Sequence, residues 1–307
     1  MSRVQLATQA GTVLLLSFFW GVNWPAMKFV LGTVEPWTFR ALLVLVGGVG
    51  SLLTARALGH TILLPRRLLV PLLWLGLFQG VLWNAFSGFG IALVEAGRAA
   101  VLAFTMPVWA TALAIVVLGE RLTPRRFGAL ALGMAAMLLL LLPALEALGR
   151  ELVGSVLMLT AAVTWAVATI IVKAHDWEVS PLVLGGWQFV VGAGPLWCAA
   201  FVLGEPSTLG AMDGTTFLVL AFSALIPMIL CQAIFYAIVR RLPATLASMS
   251  TLLVPPVGVF SSAILIGETV GPAEIGALVL VVGAMAMILP GFSWRAILRP
   301  RPASPPG

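Results

Sequence analysis

Apart from Arg40, the charged residues in this chain lie in or beside short gaps between apolar runs of about 20 residues, the length an α-helix needs to cross a lipid bilayer. Only 9% of the 307 residues are charged and 61% are hydrophobic, whereas soluble domains carry about 25% charged residues. So few charges cannot cover a surface that faces water, and lipid must therefore surround most of the chain. The sequence predicts an all-α polytopic membrane protein.

Reading from one charged gap to the next predicts ten transmembrane helices. They are placed at 6–27, 36–55, 68–92, 99–119, 127–145, 152–172, 180–203, 215–239, 243–266 and 274–292. With a cytoplasmic N-terminus, only Lys28, Arg98 and Arg150 fall in outer loops, and Arg40 alone lies within a span. All other Lys and Arg residues then face the cytoplasm, as the positive-inside rule requires. We therefore expect a multi-pass protein of a bacterial-type inner membrane with both termini cytoplasmic.

The second strong feature is an internal duplication. Pro107, the pair Gly119-Glu120, Pro124 and Gly128 recur 148 residues later as Pro255, Gly267-Glu268, Pro272 and Gly276. The chain thus divides into two five-helix repeats, 6–145 and 152–292, followed by a tail, 293–307, that is predicted to be disordered and cytoplasmic. Because five is odd, the second unit enters the membrane from the opposite side. Such inverted repeats are typical of transporters.

These residues resemble the drug/metabolite transporter superfamily, and within it the EamA-type permeases with ten helices. The resemblance rests on Trp20-Gly-Val-Asn-Trp-Pro25, on Pro36-Trp-Thr-Phe-Arg40 and on the duplicated Pro…Gly-Glu…Pro…Gly pattern, and it spans about 10–290. It implies export or exchange of small metabolites, often amino acids, through a central cavity between the halves. The Trp-rich middle fits the aromatic amino acid exporter branch, although no motif selects that branch. Gln188 stands where a second Arg would match Arg40.

All eleven Asp and Glu residues lie at or beyond the predicted helix ends. A carboxylate in mid-membrane is the usual proton relay or cation site. The resemblance implies one for the small multidrug members of the superfamily, which have a Glu in the first helix where this chain has Trp20 and Asn23. We therefore favour a neutral or zwitterionic substrate, moved by facilitated diffusion or exchange, over the alternative of proton-coupled export of drugs or toxic metabolites.

Enzymatic chemistry has no candidate residues in the predicted spans. Both histidines, His60 and His175, lie in loops, and no central group of His, Asp, Glu or Cys offers acid–base or metal chemistry. Basic residues are scattered over the gaps, unlike a nucleic-acid-binding face. We expect a monomer that is not an enzyme, uses no cofactor or metal, and has a small-molecule substrate and the lipid bilayer as partners, with no nucleic acid.

Tryptophan and uncharged polar residues at mid-span are the candidate substrate contacts. Trp20 and Trp165 precede Lys28 and Lys173 by eight residues each, so the repeat predicts that their rings face each other across a pseudo-two-fold axis. Helix packing explains each single side chain about as well as cavity lining does. The predicted substrate-binding set is Trp20, Asn23, Trp24, Arg40, Gln79, Trp83, Asn84, Trp109, Trp165, Gln188 and Gln232. By contrast, Trp37, Trp177 and Trp294 are assigned to the membrane interface.

Arg40 has two readings at this point. Its side chain can reach the headgroups, or it can hold a substrate carboxylate at the cavity rim. Prolines also have two readings, because Pro107, Pro255 and Pro256 can act as hinges for rocking one half against the other or as static kinks. The Glu residues of the two Gly-Glu pairs are expected to cap adjoining turns or to bind a loop Arg. The predicted function is export of a small metabolite, most simply an amino acid, by alternating access.

Overall fold

The described residues of the protein form helices and no strand. The computed structural model describes residues 3–118, 123–147, 149–241 and 253–288. Its α-helices are α1 Arg3–Val30, α2 Pro36–Ala57, α3 Leu69–Leu75, α4 Trp83–Leu93, α5 Ala96–Ala103, α6 Met106–Leu118, α7 Pro124–Ala147, α8 Arg150–Ala174, α9 Pro181–Leu203, α10 Gly214–Leu225, α11 Gln232–Arg241, α12 Val254–Ile266 and α13 Pro272–Ile288. Two short 3₁₀ helices, Arg66–Leu68 and Pro206–Ala211, lie in connections.

Seven helical stretches among the described residues are long and apolar enough to cross a membrane, and three shorter apolar helices accompany them. The seven are Gly11–Val30, Pro36–Ala57, Arg66–Leu93, Ala96–Val117, Arg150–Ala174, Pro181–Leu203 and Gly214–Ile238. The shorter ones are Phe127–Leu141, Val254–Ile266 and Pro272–Met287. The first part of the predicted helix 243–266, up to residue 252, lies outside the described residues.

Two of the long stretches contain a π-helical turn. Gly76–Leu82 joins α3 to α4, and Ile226–Cys231 joins α10 to α11, so each stretch continues as one rod with a wider turn at its middle. A π turn rotates the residues that follow it, and such turns are frequent at functional sites. Both turns lie at the centre of the bundle.

The predicted helix 99–119 is instead two helices. α5 ends at Ala103 and α6 begins at Met106. Pro107 explains the position of the break, because a proline ring clashes with the carbonyl four residues earlier, here that of Ala103. Thr105 stabilises the break: its hydroxyl donates to the carbonyl oxygen of Leu102 at 2.7 Å.

Helix starts follow local capping rules where proline follows a polar residue. Glu35 precedes Pro36, and its carboxylate accepts from the backbone N–H groups of Trp37 at 2.8 Å and Thr38 at 3.0 Å. Ser180 precedes Pro181 in the same way at the start of α9. Proline is tolerated in the first turn because its missing N–H has no helical partner there.

Close helix crossings hold the bundle together. α2 packs on α9 where Gly48 meets Gly186, and a Cβ at Gly48 would lie 2.9 Å from the backbone nitrogen of Val190. Small residues allow such close approach in lipid, where helices gain little from burying apolar surface against one another. α7 pairs with α13, while α1 contacts α10 and α12, and α8 contacts α4 and α6. These pairings leave a space between α1, α2, α4, α8, α9 and α10.

Candidate functional site

A cavity of about 670 Å³, its open mouth included, lies at the centre of the bundle. It is lined by residues of α1, α2, α4 and α8–α11, of the two π turns, and of the α5–α6 junction. Nine residues of the predicted substrate-binding set line it: Trp20, Asn23, Trp24, Arg40, Gln79, Trp83, Asn84, Trp165 and Gln232. The other lining residues are Met27, Leu43, Phe104, Met106, Phe189, Ser223, Pro227 and Met228. The cavity therefore combines aromatic walls with a few polar groups, as small-molecule sites usually do.

The first π turn places an amide acceptor on the cavity. The side-chain nitrogen of Asn84 donates to the carbonyl oxygens of Gln79 and Gly80, both at 3.0 Å. A carbonyl can only accept, so this pair of bonds fixes which way the amide points. The Oδ1 atom of Asn84 is buried and has no partner among the described residues. The amide nitrogen of Asn84 thus donates to two backbone carbonyls of the π turn, and its amide oxygen remains available as an acceptor.

The second π turn has a different partner. The indole Nε1 of Trp20 donates to the carbonyl oxygen of Pro227 at 3.4 Å. Pro227 lies within the turn Ile226–Cys231, and a proline cannot supply the N–H of a regular helical bond. Trp20 therefore makes a polar contact with this turn through its indole nitrogen, while its ring remains available for apolar contacts.

Three tryptophans and one phenylalanine form an aromatic cluster on one side of the cavity. The rings of Trp20 and Trp165 meet edge to face with centroids 6.0 Å apart, and those of Trp83 and Trp165 are 4.7 Å apart. Phe235 lies 5.2 Å from Trp20 and 6.0 Å from Trp165. Edge-to-face rings add a specific attraction to their buried area. The predicted facing pair, Trp20 and Trp165, is thus in direct contact.

A smaller space of about 260 Å³ lies beyond this aromatic cluster. It shares Gln79 and Trp165 with the central cavity, and its other lining residues include Val172 and Tyr236. Trp165 thus lines both spaces, and Ala168, Thr169 and Val172, which follow it on α8, line the smaller one alone.

Among the described residues that line the cavity, Arg40 is the charged one. Its side chain is only 4% exposed, and neither Nε nor Nη2 has a hydrogen-bond partner among the described residues. The guanidinium lies against Gly88: a Cβ there would be 2.9 Å from Cγ and 3.1 Å from Nε of Arg40. The carbon at the centre of the guanidinium also lies 5.4 Å from the ring centre of Phe39. Of the two readings for Arg40, the structure has the side chain on the cavity.

Further polar atoms on the cavity also lack partners. The Oδ1 atom of Asn23, Nε2 of Gln232 and Oγ of Ser223 are buried without hydrogen bonds among the described residues. Burying an unpaired polar group costs free energy, so such atoms need water or a ligand. Among the described residues, no group of three or more His, Cys, Asp or Glu side chains could hold a metal ion.

Two residues of the predicted set lie away from the cavity. Trp109 donates its indole hydrogen to the hydroxyl of Thr105 at 3.2 Å and so supports the break between α5 and α6. Gln188 is fully buried and accepts from the hydroxyl of Tyr236 at 2.6 Å. Both side chains serve contacts between or within helices. Their depth in the membrane was read from the sequence, but the direction of their side chains was not.

Sequence reasoning missed several lining residues, of which Ser223 and Met228 are the most informative. Ser223 lies one turn before the second π turn, and Met228 lies within it. A single serine at mid-span is a weak signal, because its hydroxyl can bond to its own helix.

The predicted hinge prolines sit close to helix starts. Pro107 is the second residue of α6, and Pro255 and Pro256 follow Val254 in the first turn of α12. At such positions a proline removes no helical hydrogen bond. The chain breaks before Pro107, whereas residues 242–252, which precede Pro255 and Pro256, lie outside the described residues. A hinge role for them stays a prediction.

The Gly-Glu pair at the end of α12 has a capping role, as expected. Gly267 has φ of 70°, a left-handed conformation that favours glycine and ends the helix. The chain then turns so that the Glu268 carboxylate accepts from the N–H groups of Ala96 at 2.7 Å and Gly97 at 3.0 Å, at the start of α5. The matching pair, Gly119-Glu120, lies outside the described residues.

Other charged groups complete this end of the bundle. The ammonium of Lys28 donates to the carbonyl oxygens of Ile91, Ala92 and Val94 at 2.8, 3.1 and 2.7 Å, and so covers the end of α4. Partial desolvation, with the carboxylates of Glu268 and Glu274, raises the pKa of Glu95, which joins α4 to α5. These contacts tie α1, α4, α5 and α12 to one another.

One interfacial assignment differs in the structure. Trp177 is only 2% exposed and donates to the carbonyl oxygen of Val172 at 3.1 Å, so it packs inside the protein after α8. Trp37 is half-buried against Phe89, with ring centres 4.9 Å apart. Trp294 lies outside the described residues.

Comparison with known proteins identifies the class of protein to which this cavity belongs. The EamA-like transporter family matches the chain twice, over residues 9–142 and 152–289. The chain belongs to this family of transporters. It is therefore a membrane transporter of the EamA family, and the cavity lies where its two matched segments meet.

Individual relatives are similar along most of their length. A probable amino-acid metabolite efflux pump of Salmonella typhimurium is 27% identical over 93% of this chain and 96% of that protein. The Escherichia coli protein of the same name is 26% identical over the same shares. An uncharacterized transporter of Bacillus subtilis, YoaV, is 22% identical over 81% of this chain and 85% of its own length. A solved crystal structure, 18% identical, superimposes with a TM-score of 0.64 over 90% of this chain and 96% of that one, which supports the fold alone.

Proposed function

We propose that this EamA-family protein exports an amino acid or an amino-acid-like metabolite through the central cavity by alternating access. The observation that carries the proposal is the cavity itself, which combines indole rings with polar atoms that have no partner among the described residues. Unpaired polar atoms are costly in a structure that serves only packing, and they become useful when a polar ligand pairs with them. Relatives named as amino-acid metabolite efflux pumps agree with this substrate class.

The coupling we propose is facilitated diffusion or exchange. No acidic side chain is among the lining residues of the cavity in the described part of the chain, so a proton relay of the usual carboxylate type has no candidate there. The alternative, proton-coupled export of cationic drugs, would need such a group. The aromatic cluster alone would suit a flat cation, and that alternative therefore enters the test below.

The architecture we propose is ten helices in two inverted five-helix units, 6–145 and 152–292, in an inner membrane with both termini cytoplasmic. The helix contacts support it, because the first helix of each unit packs on the third and fourth helices of the other unit. α1 packs on α10 and α12, and α8, its counterpart, packs on α4 and α6. α2 pairs with its counterpart α9, and α7 with α13. Both π turns also fall in the third helix of their unit. Such a pattern is what a two-fold axis in the membrane plane produces.

Counterflow in proteoliposomes tests the function. Vesicles are loaded with one unlabelled amino acid, a trace of the labelled compound is added outside, and no ion gradient is imposed. Transient accumulation of label with phenylalanine, tryptophan, threonine or methionine would support a carrier of this class. No signal with any amino acid, together with pH-gradient-driven movement of a lipophilic cation, would instead favour the drug-export alternative.

Labelling of single cysteines tests the orientation. Thr33→Cys lies in the loop after α1 and His60→Cys in the loop after α2, each in a background in which Cys198 and Cys231 are replaced by Ser. In intact cells with a permeable outer membrane, a membrane-impermeant maleimide should label only position 33. Labelling of position 60 alone would reverse the proposed orientation.

A further inference from the structure

Arg40 is a buried cation without a counter-charge in the described protein. No ion pair to it exists among the described residues, and none of the cavity-lining residues is acidic. Its Nε and Nη2 hydrogens have no acceptor in the part of the chain that the structure describes. A charge kept in a membrane span at such a cost is usually functional, and a guanidinium with two adjacent free donors matches the two oxygens of a carboxylate.

The Arg40 side chain lies against a glycine of α4. Gly88 on α4 leaves the room that the Arg40 side chain occupies, since even a methyl group there would lie 2.9 Å from Cγ. Contacts of that length are shorter than carbon atoms tolerate. The Arg40 side chain is therefore seated across α4 at the level of Gly88.

Asn84 provides the complementary group one helical turn away. Residues four apart in an α-helix lie on the same face, with about 5–6 Å between their Cβ positions, so Asn84 and the seat at Gly88 are neighbours. The Asn84 amide nitrogen is committed to two backbone carbonyls, which leaves Oδ1 as a buried acceptor without a donor. The cavity lining thus includes an anion-binding group, Arg40, and a hydrogen-bond acceptor one turn from the point where Arg40 meets α4.

We propose that Arg40 and Asn84 together bind the head group of an α-amino acid, with its carboxylate on the Arg40 guanidinium and its ammonium on Oδ1 of Asn84. An α-amino acid carries both groups on one carbon, which suits two protein groups one turn apart. Trp83, next to Asn84, and Trp165 then receive the substrate side chain against their rings. This assignment deepens the proposed function and rests on it.

The proposal makes Arg40 a specificity residue whose loss is selective. Hydrogen bonds to charged groups are worth about 1.5–3 kcal/mol, so Arg40→Gln should weaken amino acid binding about 10- to 100-fold. Arg40→Gln should not lower thermal stability, because an unpaired buried charge opposes folding. Gly88→Ala keeps the charge but displaces it from its seat, and should show the same selective loss. Arg56→Gln, an exposed arginine at the end of the same helix, is the matched control.

The test uses the full-length protein in proteoliposomes, with phenylalanine counterflow as the signal. Unlabelled phenylalanine, phenethylamine and 3-phenylpropionate compete for the carrier, so that one competitor lacks the carboxylate and another lacks the ammonium. In the wild type, phenylalanine should compete at least about tenfold better than either truncated compound, since each loses a charge-assisted bond. In Arg40→Gln, the advantage of phenylalanine over phenethylamine should disappear, while Arg56→Gln should keep it.

The outcomes separate the two proposals. If the wild type carries no amino acid in counterflow, the proposed function fails and takes this assignment with it. If the wild type carries phenylalanine but Arg40→Gln keeps the preference for a carboxylate, the head-group assignment is wrong while the function stands. If Arg40→Gln and Gly88→Ala lose all transport together with several degrees of thermal stability, Arg40 is a structural residue and the assignment is again wrong.

Discussion

Glu268 offers the sharpest test of how the ends of the helices are held together. Its carboxylate lies at the end of α12 and accepts two backbone hydrogens, those of Ala96 and Gly97, at the start of α5. The two helices are far apart in the sequence, so this single side chain couples the two matched halves of the chain. We expect Glu268→Ala to loosen the start of α5 before it affects any other part of the bundle.

The size of the effect follows from the two bonds. Removing a helix cap costs about 0.5–2 kcal/mol, and a hydrogen bond to a charged acceptor is worth about 1.5–3 kcal/mol. Glu268 is half-buried, so water can replace its oxygens only in part, and about 2 kcal/mol is expected for Glu268→Ala. Glu268→Gln keeps one acceptor but loses the charge that favours a helix start, for about 1 kcal/mol.

Two measurements on purified protein check this expectation. Thermal unfolding followed by tryptophan fluorescence should give lower midpoints in the order wild type, Glu268→Gln, Glu268→Ala. Hydrogen exchange should accelerate in Ala96–Ala103 and not in α9. The control is Glu205→Ala, an exposed glutamate whose carboxylate caps no helix and whose loss should cost under about 0.5 kcal/mol. If Glu268→Ala behaved like Glu205→Ala in both measurements, the capping role would be refuted.

Two further changes address the same end of the bundle. Glu95 has a raised pKa in the folded protein, owing to desolvation and then to Glu268 and Glu274, so its contribution to stability falls as pH rises above the unfolded value near 4.5. Glu95→Gln should remove this loss of stability at higher pH, and the effect should be small because the residue is largely exposed. Equal slopes of the unfolding midpoint against pH in the variant and the wild type would contradict this expectation. Lys28→Met leaves three carbonyl oxygens at the end of α4 without their donor and should lower the unfolding free energy by about 2–3 kcal/mol, whereas Lys173→Met, at an exposed position, should change it little. Equal unfolding midpoints for the two lysine variants would show that Lys28 is not a cap.

The helices of this protein could be predicted from the gaps between charges for a simple reason. Backbone groups in lipid must bond within their own segment, so each long apolar run has to be helical. The break between α5 and α6 could not be placed from that rule, since both pieces are apolar. Pro107 was the available signal, and its clash with the carbonyl of Ala103 accounts for the observed end of α5.

The cavity was harder to predict than the helices. A residue's position along a span gives its depth, and depth placed Asn84 and Trp165 at mid-span, where both line the cavity. Arg40 was expected near the end of its helix, at the headgroups or the cavity rim, and it also lines the cavity. Depth does not give direction, and so Trp109 and Gln188 were grouped with the cavity although they point elsewhere. The two π turns add to this difficulty, because each changes the direction in which the side chains beyond it point, and no sequence pattern predicted either turn.

The two π turns also show how the halves have diverged. In the first half, the opened carbonyls are satisfied by Asn84 from the same stretch, which leaves its oxygen free on the cavity. In the second half, the carbonyl of Pro227 accepts from the backbone N–H of Gln232 and also from the indole of Trp20, across the bundle. Among the described lining residues, the one charge comes from the first half, since Gln188, near the place that matches Arg40, turns away to Tyr236. In the inverted arrangement proposed above, both halves share the helix framework that rocking requires, while the polar anchor belongs to one half. A substrate held by that anchor would stay with the first half in both orientations, and the second half would move past it.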